Sequence, residues 1–335
     1  MRRGKRPKRT NPAMPAAGID LEETMSHATV LTNDGAETFE FPMSEGGYAL
    51  LKTRVASDVH IAFESSNTAY LFHRQLRSIG NADLTVAHPT ELARSVKLKK
   101  KSDWVDSVKL AHLHSVGMLP EAHLLGREEQ FTHDLLFQRL KLGQEIGRLK
   151  PTVNWYPKRE GVYQDLPQSA DLFSVLRRAS IRGHSFGDGR DLVLSSLMDR
   201  REVAEKLAVQ FEERIRQRTK ESDNVKLLMT IPGVNFYLAP MVNSFVVDVR
   251  RFPDTDHLAN FFGVVPTEKN SSSLKRVGHI SKSGPGEGRW ALSIMVDATA
   301  KYEPHVRAYY AKGKVRTGSG KVIHVLTRDK LVRMI

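Results

Sequence analysis

The first 120 residues open with short alternating runs of apolar and polar positions. In Gly18-Ile19-Asp20-Leu21-Glu22, Ile19 and Leu21 fall on one face and Asp20 on the other, which predicts a strand. Residues 27–32 and 38–41 predict two more strands, separated by the turn Asn33-Asp34-Gly35. A helix is expected from about 44 to 55, then the alternating strand 59–64, which ends on Glu64. A helix over 68–79 closes at Gly80, and a fifth strand over 84–87 is ended by Pro89. From Ser102 to about Gly117 the positions Trp104, Val105, Val108, Ala111, His112 and Val116 form one broad helical face. Three strands in a meander, then helix, strand, helix, strand, helix, is an α/β order.

The pattern then changes to long helical stripes. Phe131, Leu135, Leu142, Ile146 and Leu149 recur at helical spacing within 124–149. Leu197, Ala204, Leu207, Phe211 and Ile215 do so within 191–219. Between them lie Pro151, Pro157, Pro167 and a glycine-rich turn at 183–189. Narrow stripes on such charged helices pair as an antiparallel arm, within the chain or between subunits. Beyond 225, Leu227-Leu228-Met229-Thr230-Ile231-Pro232-Gly233-Val234-Asn235 is similar to the turn of a helix–hairpin–helix, whose backbone N–H groups hold phosphate. A short helix within 252–263 has Asp254 as its N-cap candidate. The helix 290–301 and the amphipathic segment 322–335 follow, the latter with Arg328, Lys330 and Arg333 facing out. The expected organisation is a basic arm over 1–16, an α/β domain over 17–120, a helical arm over 121–224 and a mainly α domain over 225–335.

Composition adds a partner class. The chain has 335 residues and a net charge of +13, so an acidic partner is expected, nucleic acid being the commonest. It has no cysteine, which excludes disulfides, thiolate zinc sites and cysteine nucleophiles. Residues 2–9, Arg-Arg-Gly-Lys-Arg-Pro-Lys-Arg, read either as a solubilising tail or as a phosphate-contacting arm. No apolar stretch follows them, so they do not read as a signal peptide, and no run is long enough to span a bilayer. A cytoplasmic, nucleoid-associated prokaryotic protein is the expectation.

The candidate chemistry is concentrated in two stretches. In Lys101-Ser102-Asp103-Trp104-Val105-Asp106, two carboxylates stand at i and i+3 on a helix, behind Lys97, Lys99, Lys100 and Lys101. Such a pair is relieved by a divalent metal or by nearby lysines, or is simply the acidic first turn that the macrodipole favours. In the α/β order, Asp20 and Glu64 end the first and fourth strands. Four carboxylates at one end of a sheet suit oxygen-ligated Mg²⁺ or Mn²⁺. The second stretch runs from Gly263 to Gly284 and carries Ser271, Ser272 and Ser273 together with Lys275, Arg276 and Lys282. It reads either as a flexible Ser/Gly/Lys loop or as a hydroxyl nucleophile among cations able to stabilise a pentavalent phosphate.

The element order resembles the α/β ribonuclease-H-like (RuvC-like, Holliday-resolvase) fold. Gly18-Ile19-Asp20, Phe63-Glu64-Ser65-Ser66, His88-Pro89 and Lys101-Ser102-Asp103-Trp104-Val105-Asp106-Ser107 resemble, in order and spacing, the landmarks of the DEDD transposases. That is the insertion-sequence one-ten family, with the pilin gene-inverting recombinases. Ile231-Pro232-Gly233, Arg251-Phe252, Gly263 to Pro266, Ser271, Gly278, Ile280-Ser281-Lys282, Gly284 and Arg289 look like the same family's C-terminal serine domain. The resemblance implies a transposase or site-specific DNA recombinase with Asp20, Glu64, Asp103 and Asp106 as catalytic metal ligands. It implies Ser271, five residues after Pro266, as the nucleophile, with Ser272 and Ser273 as adjacent candidates. Lys99, Lys100, Lys101, Gly233, Lys275, Arg276, Lys282 and Arg289 are the expected nucleic-acid contacts. A structured guide RNA, element and target DNA, and a homo-oligomer formed through the arm are the expected partners. Departures from the pattern are Asn67, Asn235, Ser272, the stretch Pro285-Gly286-Glu287-Gly288 that loosens the segment leading to Arg289, and a one-residue displacement at Tyr70. The alternatives are a metal-dependent, structure-selective DNA nuclease and a non-catalytic nucleic-acid-binding remnant.

Overall fold

The structure, a computed structural model, describes residues 14–78, 84–95, 103–167, 174–185, 187, 189–271 and 274–335. It divides into two compact units, Met1–Leu125 and Gly126–Ile335.

The first unit is mixed α/β around a five-stranded sheet. Its strands are β1 (Ala16–Asp20), β2 (Met25–Thr32), β3 (Gly35–Pro42), β4 (His60–Glu64) and β5 (Leu84–Ala87), in the order β3-β2-β1-β4-β5. The first three form an antiparallel meander, while β1, β4 and β5 run parallel. The helices are α1 (Glu45–Arg54), α2 (Ala69–Ser78), α3 (Pro89–Ser95) and α4 (Asp103–Ser115). Helix α1 starts where Ser44 accepts from the Gly47 N–H, an ordinary side-chain N-cap. The sheet has apolar residues on both faces, as parallel strands covered on both sides require. Ile19, Phe63 and Val86 pack with Tyr48, Leu51, Phe72 and Leu76 of α1 and α2 on one face. Ala62 and Ala87 pack with Leu92 and Leu110, from α3 and α4, on the other. Helix α3 is not expected from the pattern; its Pro89 opens a helix, the first-turn position where proline loses no hydrogen bond.

The second unit is mainly helical: α5 (Arg127–Arg159), α6 (Val175–Gly183), α7 (Asp191–Thr219), α8 (Asp223–Leu228), α9 (Leu238–Val246), α10 (Thr255–Phe261), α11 (Gly286–Tyr302), α12 (Pro304–Thr317) and α13 (Gly320–Val332). The strands β6 (Pro266–Ser271) and β7 (Leu274–Ile280) form its one described hairpin. Helices α5 and α7 lie antiparallel, cross-linked by Glu128–Arg218 (2.8 Å), Arg139–Glu212 (2.5 Å) and Glu145–Arg200 (3.0 Å). Their near ends join the main core, where Leu135, Leu136, Leu140 and Ile215 pack with α9 and α11. Their far ends share a smaller core of Val153, Tyr156, Ile181, Leu194 and Met198.

Two sequence expectations are corrected in this unit, the end of α5 and the facing of Arg328. Helix α5 does not stop before Pro151 but continues through it and Pro157 to Arg159. Burial of Val153 and Tyr156 in the smaller core offsets the backbone bonds that the two prolines remove. The stretch from Gly263 to Gly284, for which a flexible loop was one of two readings, holds a β-hairpin. Arg328 does not face out: it is 8% exposed, and its Nη1 donates to Ser293 Oγ at 2.7 Å. The expected cap is present, with Asp254 accepting from the His257 N–H at 2.9 Å.

His133 on α5 is enclosed by Phe137 (4.4 Å between ring centres) and by Phe245 edge-on (4.9 Å). Burial holds its pKa below the ordinary value, against smaller opposing effects of Asp134 and Glu287. Below about pH 6.5 the unfolded chain therefore takes up a proton that the folded one resists. Stability from this residue is full above that pH and falls as the pH drops toward the folded pKa. Urea midpoints of the full chain should decline from pH 7.5 to pH 5.5, and His133→Gln should show a shallower decline.

Candidate functional site

The site starts from the parallel pair β1 and β4. Ile19 pairs with Phe63, so the next residues, Asp20 and Glu64, end the two strands side by side. Successive strand residues alternate faces. Ile19 and Phe63 point into the α1/α2 core, so Asp20 and Glu64 lie on the opposite face, the one that α4 covers.

Helix α4 crosses that face antiparallel to both strands. A Cβ built on Gly18 would meet Ser107 O at 2.2 Å and Ala111 N at 2.3 Å, so the helix backbone rests directly on β1. The buried hydroxyls of Thr29 and Ser107 bond at 2.8 Å, and Thr29 pairs with Gly18 across the sheet. Further along the helix, the His114 ring lies 6.1 Å from that of His60, which pairs with Ala16 at the start of β1. The N-terminus of α4 is therefore directed to the strand ends that carry Asp20 and Glu64. Asp106, adjacent to Ser107, comes to that edge, and Asp103 begins the helix one turn earlier. The positive end of the helix dipole favours carboxylates there.

An all-oxygen donor set of this kind fits a hard divalent cation. Among the described residues no three His, Asp or Glu side chains stand close enough to form a metal cluster. The side chain of Asp103 lies outside the described residues, as do Lys99, Lys100 and Lys101.

In the second unit, Ser271 is the last residue of β6 and pairs with Leu274. Lys275 and Arg276 follow on β7, opposite Asn270 and Lys269. Ser272 and Ser273 lie outside the described residues. The root of the hairpin is held by backbone contacts: the Ser281 N–H donates to Val265 O (3.0 Å) and the Lys282 N–H to Gly263 O (3.2 Å). Lys282 has φ +53°, a left-handed backbone that costs a residue with a Cβ roughly 1–2 kcal/mol. Arg289 on the first turn of α11 donates Nη1 to Phe262 O (3.3 Å) and also to Gly284 O, on either side of that root. Burial lowers its pKa, with a smaller opposing effect from Glu287. Arg289 thus serves as a latch on the hairpin as well as a cation beside it.

Gly233 occupies the turn between α8 and α9 with φ +88°, and a Cβ there would lie 2.8 Å from the Ala298 carbonyl carbon of α11. Only glycine meets both demands without strain. Asn235 Oδ1 accepts from the N–H groups of Tyr237 and Leu238, each at 3.0 Å. A phosphate-binding turn would offer such first-turn donors to a ligand. In this chain Asn235 takes them.

Comparison with known proteins bears on this unit first. Residues 225–311 match the family model for IS116/IS110/IS902 transposases. The matched segment contains the Gly233 turn, the Ser271 hairpin and Arg289. The chain is 30% identical over 95 residues to an insertion element IS110 uncharacterized 43.6 kDa protein of Streptomyces coelicolor, an alignment covering 27% of this chain and 24% of that protein. It is 23% identical over 250 residues to a putative transposase, y4qE, of Sinorhizobium fredii, covering 74% of this chain and 60% of that one. The chain thus spans from a quarter to three fifths of the length of these relatives. The longer alignment exceeds the second unit, residues 126–335, and so extends into the first.

Two positioning features escape sequence reasoning. Ser107 reads as the last residue of the acidic motif, with no sign that its hydroxyl fixes α4 to Thr29. Gly18 reads as the start of a strand and of the Gly18-Ile19-Asp20 motif, not as a helix contact. Its lack of a side chain was the available signal, since glycine within a strand marks a close backbone approach. Gly18→Ala should push α4 off the sheet and lower the unfolding free energy by about 3 kcal/mol, the upper range for overpacking, measured by urea denaturation.

Proposed function

We propose that the chain is a transposase or site-specific DNA recombinase of the DEDD type, acting through a ribonuclease-H-like domain and a serine-bearing domain. The observation that carries this reading is the antiparallel course of α4, which directs Asp106 to the edge and face where β1 and β4 end in Asp20 and Glu64. The family match over the segment holding Ser271 supports the second half. Asp20, Glu64, Asp103 and Asp106 would hold Mg²⁺ or Mn²⁺, an ion that when bound polarises a scissile phosphate and offsets its charge.

Ser271 Oγ attacks the phosphorus of a DNA strand. A phosphoserine ester forms as one P–O bond to the strand breaks; the serine gives up its proton and the departing sugar oxygen takes one up. No net hydrolysis occurs, so the ester bond is conserved for rejoining. Lys275 and Arg276 of β7 and Lys282 at the hairpin root would neutralise phosphate charge. A structured RNA transcribed beside the gene would direct the choice of DNA, and a homo-oligomer would pair the two strands.

The test is covalent trapping on a denaturing gel with full chain, Mg²⁺, the DNA flanking its reading frame and the flanking transcript. A protein–DNA adduct is expected for the wild type, lost in Ser271→Ala and in the double variant Asp20→Asn, Asp106→Asn. An adduct that persists in Ser271→Ala overturns the serine assignment. Nicking without any adduct identifies a nuclease, and neither nicking nor adduct identifies a binding protein. Adduct yield unchanged by an unrelated RNA of equal length removes the guide.

A further inference from the structure

The second unit contains a cavity of about 460 Å³ between α11, α12 and α13. Val296, Thr299, Val306, Tyr309, Leu331 and Met334 form its almost wholly apolar wall, with His305 and Lys330 at the rim. It falls within the range of ligand pockets, roughly 300–1,000 Å³. The Thr299 side chain is among its lining residues, is 3% exposed, and its hydroxyl has no hydrogen-bond partner. Lys330 Nζ sits 4.5 Å over the Tyr309 ring, so a cation and an aromatic face stand together at the opening.

The surroundings indicate what kind of molecule the cavity receives. Residues 304–335 carry eight Lys and Arg against a single acid, Asp329. Lys312, Lys314, Arg316 and Lys321 are exposed around the α12–α13 turn, and none pairs with a carboxylate among the described residues. From Val306 to Arg316 the helix rises about 15 Å, so these cations stand within a few nucleotides' reach of the cavity along the same helical hairpin. An uncharged apolar metabolite has no use for such cations, and a second copy of this basic face would be repelled by them. A nucleic-acid strand fits both features: phosphates on the cations, and a base with apolar faces and a polar edge in the cavity.

We propose that the cavity between α11, α12 and α13 binds one unstacked nucleobase of a single strand whose phosphates follow the α12–α13 hairpin. The base lies beside Tyr309 and offers its polar edge to the buried Thr299 hydroxyl. Duplex DNA binds only after a base leaves the stack, as at open junctions. The inference concerns binding and does not depend on Ser271 chemistry.

The experiment measures affinity of the full chain for two ten-residue strands, one of abasic spacers only and one with a single central thymine. The thymine strand should bind roughly tenfold tighter. Tyr309→Ala and the cavity-filling Val306→Trp should each abolish that difference, in protein whose far-ultraviolet circular dichroism is unchanged. Lys314→Ala should instead weaken both strands equally, as a phosphate contact does. Matching ribose strands identify whether DNA or RNA is the preferred source. Equal affinity of the wild type for the two strands in both DNA and ribose forms, or a thymine preference that survives both cavity variants, overturns the proposal. Either result leaves the covalent-trapping outcome untouched.

Discussion

The approach of α4 to β1 is the constraint on which the first unit depends. Helix and strand backbones meet at Gly18 with no side chain between them, so the helix can sit on the sheet only where a Cβ is missing. The Thr29–Ser107 hydroxyl pair then sets where along the strand it stops. A shift of one helical turn would move Asp106 away from the edge at which β1 and β4 end. Asp106 is thus positioned by backbone contact and one buried hydroxyl pair, and the positive helix terminus favours a carboxylate there. The same logic recurs in the second unit, where Gly233 lets the α8–α9 turn rest on α11.

The two units place their candidate groups by different means. In the first, sheet register and a packed helix determine position to within the spacing of adjacent strands. In the second, Ser271 is carried on a two-stranded hairpin, a type of element with little stability of its own. Its root is therefore tied by Arg289 through carbonyl groups and by the left-handed backbone at Lys282. Those ties involve main-chain atoms, so they hold the root whatever side chains the hairpin carries.

Much of the first unit was legible in the sequence because its signals are local. The alternation before Asp20 and Glu64 marks strand ends, and the acid pair at 103 and 106 marks a helix start. The facing of α4 toward those ends was not legible, since it depends on Thr29 and Gly18, about 80 residues away in the chain. Pro151 misled because a proline states a local preference that buried Val153 and Tyr156 outweigh. The hairpin within 263–284 gave no strand signal because its pairing is through backbone and its residues lack apolar alternation. Arg328 stands one position beyond buried Thr327 and four before buried Val332, so a small error in helical phase moves it from the interior to the surface.

The acidic edge of the first unit also has a history within each molecule. Asp20 and Glu64 are synthesised early, but the helix that brings Asp106 to them follows the completed sheet. The contact that secures it spans 78 residues, the non-local kind that forms slowly because much chain must be ordered first. A nascent chain thus carries Asp20 and Glu64 before α4 has been made. The order of synthesis delays the seating of α4 on β1 until the entire α/β unit has been made.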